Sequence, residues 1–67
     1  MSWDEYLQRC KVISERLDYI ADRTANMAML GIAVPTNPLF RDLMRAQETL
    51  LRAADALIDE FESKSKE

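Results

Sequence analysis

The sequence of 67 residues has no histidine, one cysteine, one glycine and two prolines. A single cysteine cannot form a disulfide within the chain, and the Cys and carboxylate side chains do not cluster in a pattern that binds structural zinc. Histidine, a nucleophile elbow and a phosphate-binding loop are all missing, so the usual parts of an enzyme active site are absent. The composition therefore predicts a non-enzymatic protein with no metal and no cofactor.

The length limits the core that this chain can build. Residues 1–67 are predicted to form a single domain. A domain of this size buries only about 60% of the surface of its unfolded chain, so its core is marginal unless a disulfide, a metal or another chain adds to it. Because the first two are excluded, the sequence predicts oligomerisation.

Charge and hydropathy exclude two classes of partner. The net charge is −3, whereas a surface that binds duplex DNA is basic. The uncharged, largely apolar stretch of residues 26–39 contains glycine and both prolines and is too short to span a bilayer. Asp4 and Glu5 occupy the place of the basic start of a signal peptide. We therefore expect no duplex DNA, no membrane and a cytoplasmic location, where a single thiol stays reduced.

The first predicted helix spans residues 3–30. Ser2 and Glu5 form a capping box, and Gly31 suits the position that follows a helix end. Apolar side chains recur at heptad a and d spacing, which puts them on one face of the helix. The seam comprises Trp3, Tyr6, Cys10, Ile13, Leu17, Ile20, Thr24 and Met27. The core-facing position of Cys10 predicts a buried, unreactive thiol.

Residues 31–37 are predicted to form a turn and residues 38–63 a second helix. Asn37 followed by Pro38 matches the N-cap and the first position of a helix. Each helix is about 40 Å long at 1.5 Å per residue. Helices of matched length joined by a short turn pack side by side in opposite directions. The predicted fold is therefore all-α, an antiparallel two-helix hairpin.

The apolar arc of the second helix is wider than one neighbouring helix covers. It spans roughly 160° of the helical wheel, against about 100° for a stripe that packs on one partner. The surplus predicts an oligomeric helical bundle, a dimer or a higher homo-oligomer. The alternative, a monomer with a large exposed apolar patch, is an aggregation liability. The predicted oligomer interface comprises Leu43, Ala46, Leu50, Ala53, Leu57 and Phe61.

Arginines of the second helix form the candidate ligand site. Arg41 lies in the first turn, where backbone amides favour anions, and Arg45 lies one turn later. Two like charges four residues apart are mildly destabilising unless an anion lies between them. Asn37 lies beside them, and Tyr6 offers a ring that could stack on a base. The predicted ligand-binding residues are therefore Arg41, Arg45, Asn37 and Tyr6. The structural alternatives are a solvated arginine face and, for Tyr6, closure of the end of the bundle.

Two further features each have a functional and a structural interpretation. Arginines that recur every seven residues beside the first seam either line an anion site or form interhelical ion pairs. These are Arg9, Arg16 and Arg23. A flexible apolar cluster near the turn either binds a protein or caps the bundle of another chain. This cluster comprises Met27, Met29, Leu30, Ile32 and Val34.

Residues 37–57 resemble the second helix of the short phage-encoded helical hairpins found in anti-CBASS and Thoeris anti-defence proteins. The shared pattern is an Arg–acid pair followed by Ala, Leu and Ala at fixed spacing. It is carried here by Arg41, Asp42, Ala46, Leu50 and Ala53, with Leu57 beyond them. The first helix shares only the amphipathic pattern. A looser likeness links the chain to small phage hairpins that inhibit host regulators by direct binding.

The resemblance implies an oligomer that sequesters a cyclic oligonucleotide, or a related nucleotide signal, without hydrolysing it. If phage-encoded, such a protein acts in the host cytoplasm, and Arg41 stands at the family's arginine position. The alternative function is a helical hairpin that binds and inhibits a host protein. A nucleotide sponge needs convergent arginines at a cavity between chains, whereas a protein binder needs an exposed apolar tip or groove.

Overall fold

The computed structural model describes the backbone of residues 2–65 and the side chains of residues 2–63. Two helices make up the fold, α1 over Trp3–Met29 and α2 over Pro38–Ser65, and α1 packs on α2. Residues 2–65 contain no strand. The predicted all-α two-helix hairpin is thus confirmed. Within the same residues, neither helix is long and apolar enough to cross a membrane.

The start of α1 follows its capping sequence. Ser2 is extended, with φ −76° and ψ 162°, and its hydroxyl accepts a hydrogen bond of 3.1 Å from the Glu5 amide. The two acidic residues of the first turn, Asp4 and Glu5, complement the positive end of the helix dipole. These local interactions place the beginning of the helix at Trp3, as the sequence predicts.

The turn is fixed at both of its ends. Gly31 adopts φ 73°, a left-handed conformation that glycine tolerates best. The amide of Ile32 donates to the Met27 carbonyl at 2.9 Å, which closes α1 with a Schellman motif. At the other end, Asn37 caps α2. The helices differ slightly from the predicted bounds: α1 stops at Met29 instead of residue 30, and α2 continues to Ser65 instead of ending at residue 63.

A narrow seam joins the two helices. Every residue of the predicted α1 seam is buried or half-buried except Trp3, which is 57% exposed. The α2 side of the seam comprises Phe40, Leu43, Gln47, Leu50, Ala54, Leu57 and Phe61. Among the described side chains only Ile20, Met27 and Leu57 are buried, and each keeps 5–6% of its surface exposed. The two helices alone therefore enclose a very small core.

The hairpin exposes more surface than a compact monomer. Its accessible surface is 5229 Å², whereas a folded monomer of this mass exposes about 4,400 Å². The molecule measures 49 × 17 × 12 Å, so it is long and thin. Large apolar side chains account for part of the excess and lie on both sides of the seam, among them Leu7, Val12, Tyr19, Leu51 and Ile58.

Candidate functional site

A groove of about 880 Å³ runs between the helices on one side of the seam, which we call the groove face. Its apolar lining, which we call the floor, comprises Val12, Ile20, Leu43, Ala46 and Leu50. Its rim is polar and comprises Glu15, Arg16, Tyr19, Asp42, Arg45 and Thr49. Pockets of roughly 300–1,000 Å³ with apolar floors and a few polar groups are typical of small-molecule sites.

Arginines from both helices line this groove. Arg16 of α1 and Arg45 of α2 both line it and are both exposed. In the part of the chain that the structure describes, neither forms an ion pair. Because the rim also carries Glu15 and Asp42, an anion would bind beside the guanidinium groups and away from these carboxylates.

Other arginines are already engaged. Arg9 lies 3.0 Å from Glu5 and 3.9 Å from Glu60, so it joins α1 to α2 at the open end of the hairpin. Arg52 lies 2.6 Å from Glu48 on the outer side of α2. Within the predicted α1 arginine row, Arg9 therefore follows the ion-pair interpretation, whereas Arg16 reaches the groove.

Tyr19 presents an aromatic ring at the rim of the groove. The side chain is 57% exposed, and its hydroxyl accepts a hydrogen bond of 3.1 Å from Nε of Arg23. The Arg23 guanidinium also lies 5.4 Å from the centre of the ring. A ring held in this way offers a stacking surface for a nucleobase.

The predicted ligand residues are divided between the two ends of the molecule. Arg41 and Arg45 line a small cleft of about 370 Å³ on the outer side of α2. Tyr6 lies at the opposite end, where its ring stacks on Phe61 at 4.3 Å between centroids. Trp3 lies 5.6 Å from both rings. Within one chain the structure therefore brings Arg41 to Arg45 but leaves Tyr6 far from both, in a cluster that closes the open end.

Asn37 is occupied by the fold. Its Oδ1 accepts a hydrogen bond of 3.0 Å from the Leu39 amide, and its Nδ2 donates one of 3.0 Å to the Ile32 carbonyl. Both polar atoms of the side chain are thus used in capping α2 and holding the turn. This arrangement gives Asn37 a structural task at the place where the sequence predicts a ligand contact.

Replacing Asn37 by alanine is expected to lower the free energy of unfolding by about 1 kcal/mol, the typical contribution of an N-cap. Asn37→Asp keeps the cap acceptor but cannot donate to the Ile32 carbonyl, so it should recover most of this loss. Urea unfolding followed by circular dichroism measures both variants. Equal stability of wild type and Asn37→Ala would contradict the capping role.

The predicted interface residues also fall into two groups. Leu43, Leu50, Leu57 and Phe61 are buried or half-buried in the seam of their own hairpin. The exposed alanines at positions 46 and 53 lie on the groove face. A second chain that binds there would therefore contact the alanines and the partly covered leucines.

Cys10 forms part of the seam beside the aromatic end. It is a free, half-buried thiol. A hydrogen bond between the Tyr6 and Cys10 side chains raises the pKa of Tyr6 above its usual 10.0, with smaller contributions from burial and from the negative charges of Cys10 and Glu62.

The folded hairpin is expected to lose stability in strong alkali. Because the pKa of Tyr6 is higher in the folded chain, the stabilising effect is fully present below the unfolded value of 10.0 and is lost as the pH rises through the folded value. Ultraviolet titration in a Tyr19→Phe background isolates Tyr6. Cys10→Ala should bring its pKa back toward the usual value, and an unchanged titration would contradict the proposed cause.

Sequence reasoning did not find that Arg16 and Arg45 line one groove or that Tyr19 lies at its rim. No group of three or more Cys, Asp or Glu side chains within the described residues could hold a metal ion. Comparisons with protein-family models, curated proteins and solved structures find no match to this chain.

Proposed function

We propose that this hairpin sequesters an anionic nucleotide signal without hydrolysing it. The observation that carries the proposal is the groove in which Arg16 and Arg45, from different helices, flank an apolar floor beside the exposed ring of Tyr19. A nucleotide combines charge with a flat apolar surface, and the groove offers a counterpart for each.

Arginine suits the anionic part of such a ligand. Its planar guanidinium donates two parallel hydrogen bonds to a phosphate and stays charged at any physiological pH. The base would stack on Tyr19 or lie on the apolar floor. Glu15 and Asp42 repel phosphate, so the phosphates of the ligand would lie beside Arg16 and Arg45 and its uncharged bases along the rest of the groove.

The proposed role is binding and not catalysis. The chain has no histidine to serve as a base, and the rim provides arginine, tyrosine, threonine and carboxylate side chains. The resemblance of residues 37–57 to anti-defence hairpins supports a cyclic nucleotide as the ligand and host cytoplasm as the setting. The large exposed surface supports a homo-oligomer as the working form.

Calorimetric titration with cyclic dinucleotides and cyclic trinucleotides tests this proposal. The expected result is saturable binding of at least one of them, with no binding of the matching uncharged nucleosides. Binding should weaken as salt rises, because the contact with phosphate is electrostatic. If every cyclic nucleotide fails to bind at protein concentrations well above micromolar, the proposal is wrong.

A second candidate function, inhibition of a host protein by direct binding, is favoured by the turn end of the hairpin. Met29 is 85% exposed and Leu30 is 74% exposed, an unusual arrangement for side chains of this size. The double substitution Met29→Ser and Leu30→Ser separates the two functions. It should leave nucleotide binding unchanged if the groove is the site, whereas it should abolish inhibition of a host protein if the tip is the site.

A further inference from the structure

The side of the hairpin opposite the groove is apolar and uncovered. We call it the smooth face and define it by two rows of side chains. The α1 row is Leu7, Ser14, Ala21 and Ala28, and the α2 row is Met44, Leu51 and Ile58. None of these residues is charged, and all are exposed except the half-buried Met44. Leu7 and Leu51 are 46% and 48% exposed, so this face lacks a cover in the single chain.

The two rows differ in shape. After Leu7 the α1 row consists of small side chains and forms a trough, whereas the α2 row consists of large side chains and forms a ridge. Both rows repeat every seven residues, the spacing of helices that pack knobs into holes. A ridge beside a trough is a surface that can match a second copy of itself.

The rows also lie at matching levels along the hairpin. Ile58 of the ridge shares a cleft with Cys10 and Ser14, so it lies at the same height along the hairpin as these two residues. Moving one heptad along each helix places Leu51 level with the hole between Ser14 and Ala21. One further heptad brings Met44 level with the following hole of the trough, which lies between Ala21 and Ala28.

We propose that a second copy of this chain covers the smooth face and forms a four-helix bundle. A symmetric dimer uses the same surface on both copies. A two-fold axis parallel to the helices lays the ridge of each copy in the trough of the other, and rotation about that axis keeps every level unchanged. Leu51 of one copy then enters the hole between Ser14 and Ala21 of its partner, and both turns lie at the same end.

The other face-to-face dimer has its two-fold axis perpendicular to the helices. That axis places ridge on ridge and trough on trough, which leaves a gap between the small side chains. The size of the face also suits a dimer. A hairpin of 49 × 17 Å projects roughly 800 Å², the area that a stable interface of standard size buries on each partner.

The proposed dimer leaves both grooves on its outer sides. Arg16 and Arg45 stay accessible in each copy, so the assembly does not depend on the nucleotide proposal. It also differs from the interface predicted from the sequence, which included Ala46 and Ala53 on the groove face.

Two matched substitutions test the choice of face. Ala21→Arg adds a long charged side chain to the trough, and Ala53→Arg adds the same side chain to the groove face; both alanines are exposed in the middle of a helix. Sedimentation equilibrium should give wild type and Ala53→Arg twice the 7.8 kDa mass of one chain, and Ala21→Arg the mass of a monomer. If Ala21→Arg loses its helical signal, Leu51→Lys replaces it, because Leu51 is half exposed in the single chain.

Either of two results would overturn this part of the proposal. One is a well-folded wild-type monomer at concentrations of tens of micromolar and above. The other is a dimer that Ala53→Arg dissociates and Ala21→Arg or Leu51→Lys does not, which would assign the interface to the groove face.

Spin labels test the relative orientation of the two copies in the dimer. Thr36→Cys, in a Cys10→Ala background, places one label on the exposed turn of each chain. The proposed dimer predicts a short distance between the two labels, because both turns lie at the same end. A distance of about 40 Å or more, the length of one helix, would mean that the two turns lie at opposite ends of the dimer, and it would overturn the arrangement.

Discussion

Replacing Arg45 by alanine is expected to weaken nucleotide binding by about ten- to a hundred-fold, which corresponds to the 1.5–3 kcal/mol of one charge-assisted hydrogen bond. Arg16→Ala should have an effect of similar size, because both guanidinium groups line the same groove. Folding should be nearly unaffected, since both side chains are exposed. Calorimetric titration gives the affinities, and thermal unfolding without ligand gives the control.

The charges on the rim allow a test of opposite sign. Glu15→Gln removes a negative charge from the same groove, so it should strengthen the binding of an anionic ligand several-fold. Arg52→Ala serves as a neutral control, because Arg52 pairs with Glu48 outside the groove. Loss of affinity on Arg41→Ala alone, with Arg16→Ala and Arg45→Ala unchanged, would instead assign the ligand to the sequence-predicted position at the start of α2.

Leu57→Ala is expected to lower the free energy of unfolding by about 2–5 kcal/mol. Leu57 is one of the few buried side chains, at 6% exposure, and small domains have only about 5–15 kcal/mol of stability in total. A large part of the variant population should therefore be unfolded at physiological temperature. Urea unfolding at a fixed protein concentration measures the change and keeps the contribution of any oligomer constant.

Leu39→Ala is the matched control for this substitution. It removes the same atoms from α2, but Leu39 is 58% exposed. Surface substitutions of this kind usually change stability by no more than about 0.5 kcal/mol. Equal losses for the two variants would mean that the seam around Leu57 is not the core.

The helices could be predicted because their signals are local. Ser2 and Glu5 determine the start of α1, Gly31 its end and Asn37 the start of α2, and each acts on backbone groups only a few residues away. The α1 seam could be predicted as well, since heptad spacing fixes which side chains share one face of a helix. The end of α2 at Ser65 was missed because the serines and lysines there carry only a weak stop signal.

The groove could not be predicted in the same way. Arg16 and Arg45 line the same groove because of the register between α1 and α2. A pattern within one helix carries no information on that register. From the sequence we therefore predicted Arg41 and Arg45, which are neighbours along α2, as ligand residues. Arg16 was predicted only as part of a separate row.

The sequence shows the wide apolar arc of α2, but it does not show which part of the arc packs on α1 and which part stays exposed. One part of the arc, with Leu50 and Leu57, packs within the hairpin, while Leu51 and Ile58 remain exposed on the smooth face. Deciding which leucines face α1 requires the crossing geometry of the helices. For this reason the predicted interface combined seam residues with alanines of the groove face.

Retention and intact recovery of a cyclic nucleotide test sequestration most directly. The wild-type protein is mixed with a slight molar deficit of the ligand, free nucleotide is removed by filtration, and the protein is then heat-denatured to release what it holds. We expect most of the ligand to stay with the protein and to be recovered chemically unchanged, and the Arg16→Ala, Arg45→Ala double variant to retain far less. Passage of the nucleotide through the filter with wild type, or its recovery as a linear or cleaved product, would contradict the proposed function.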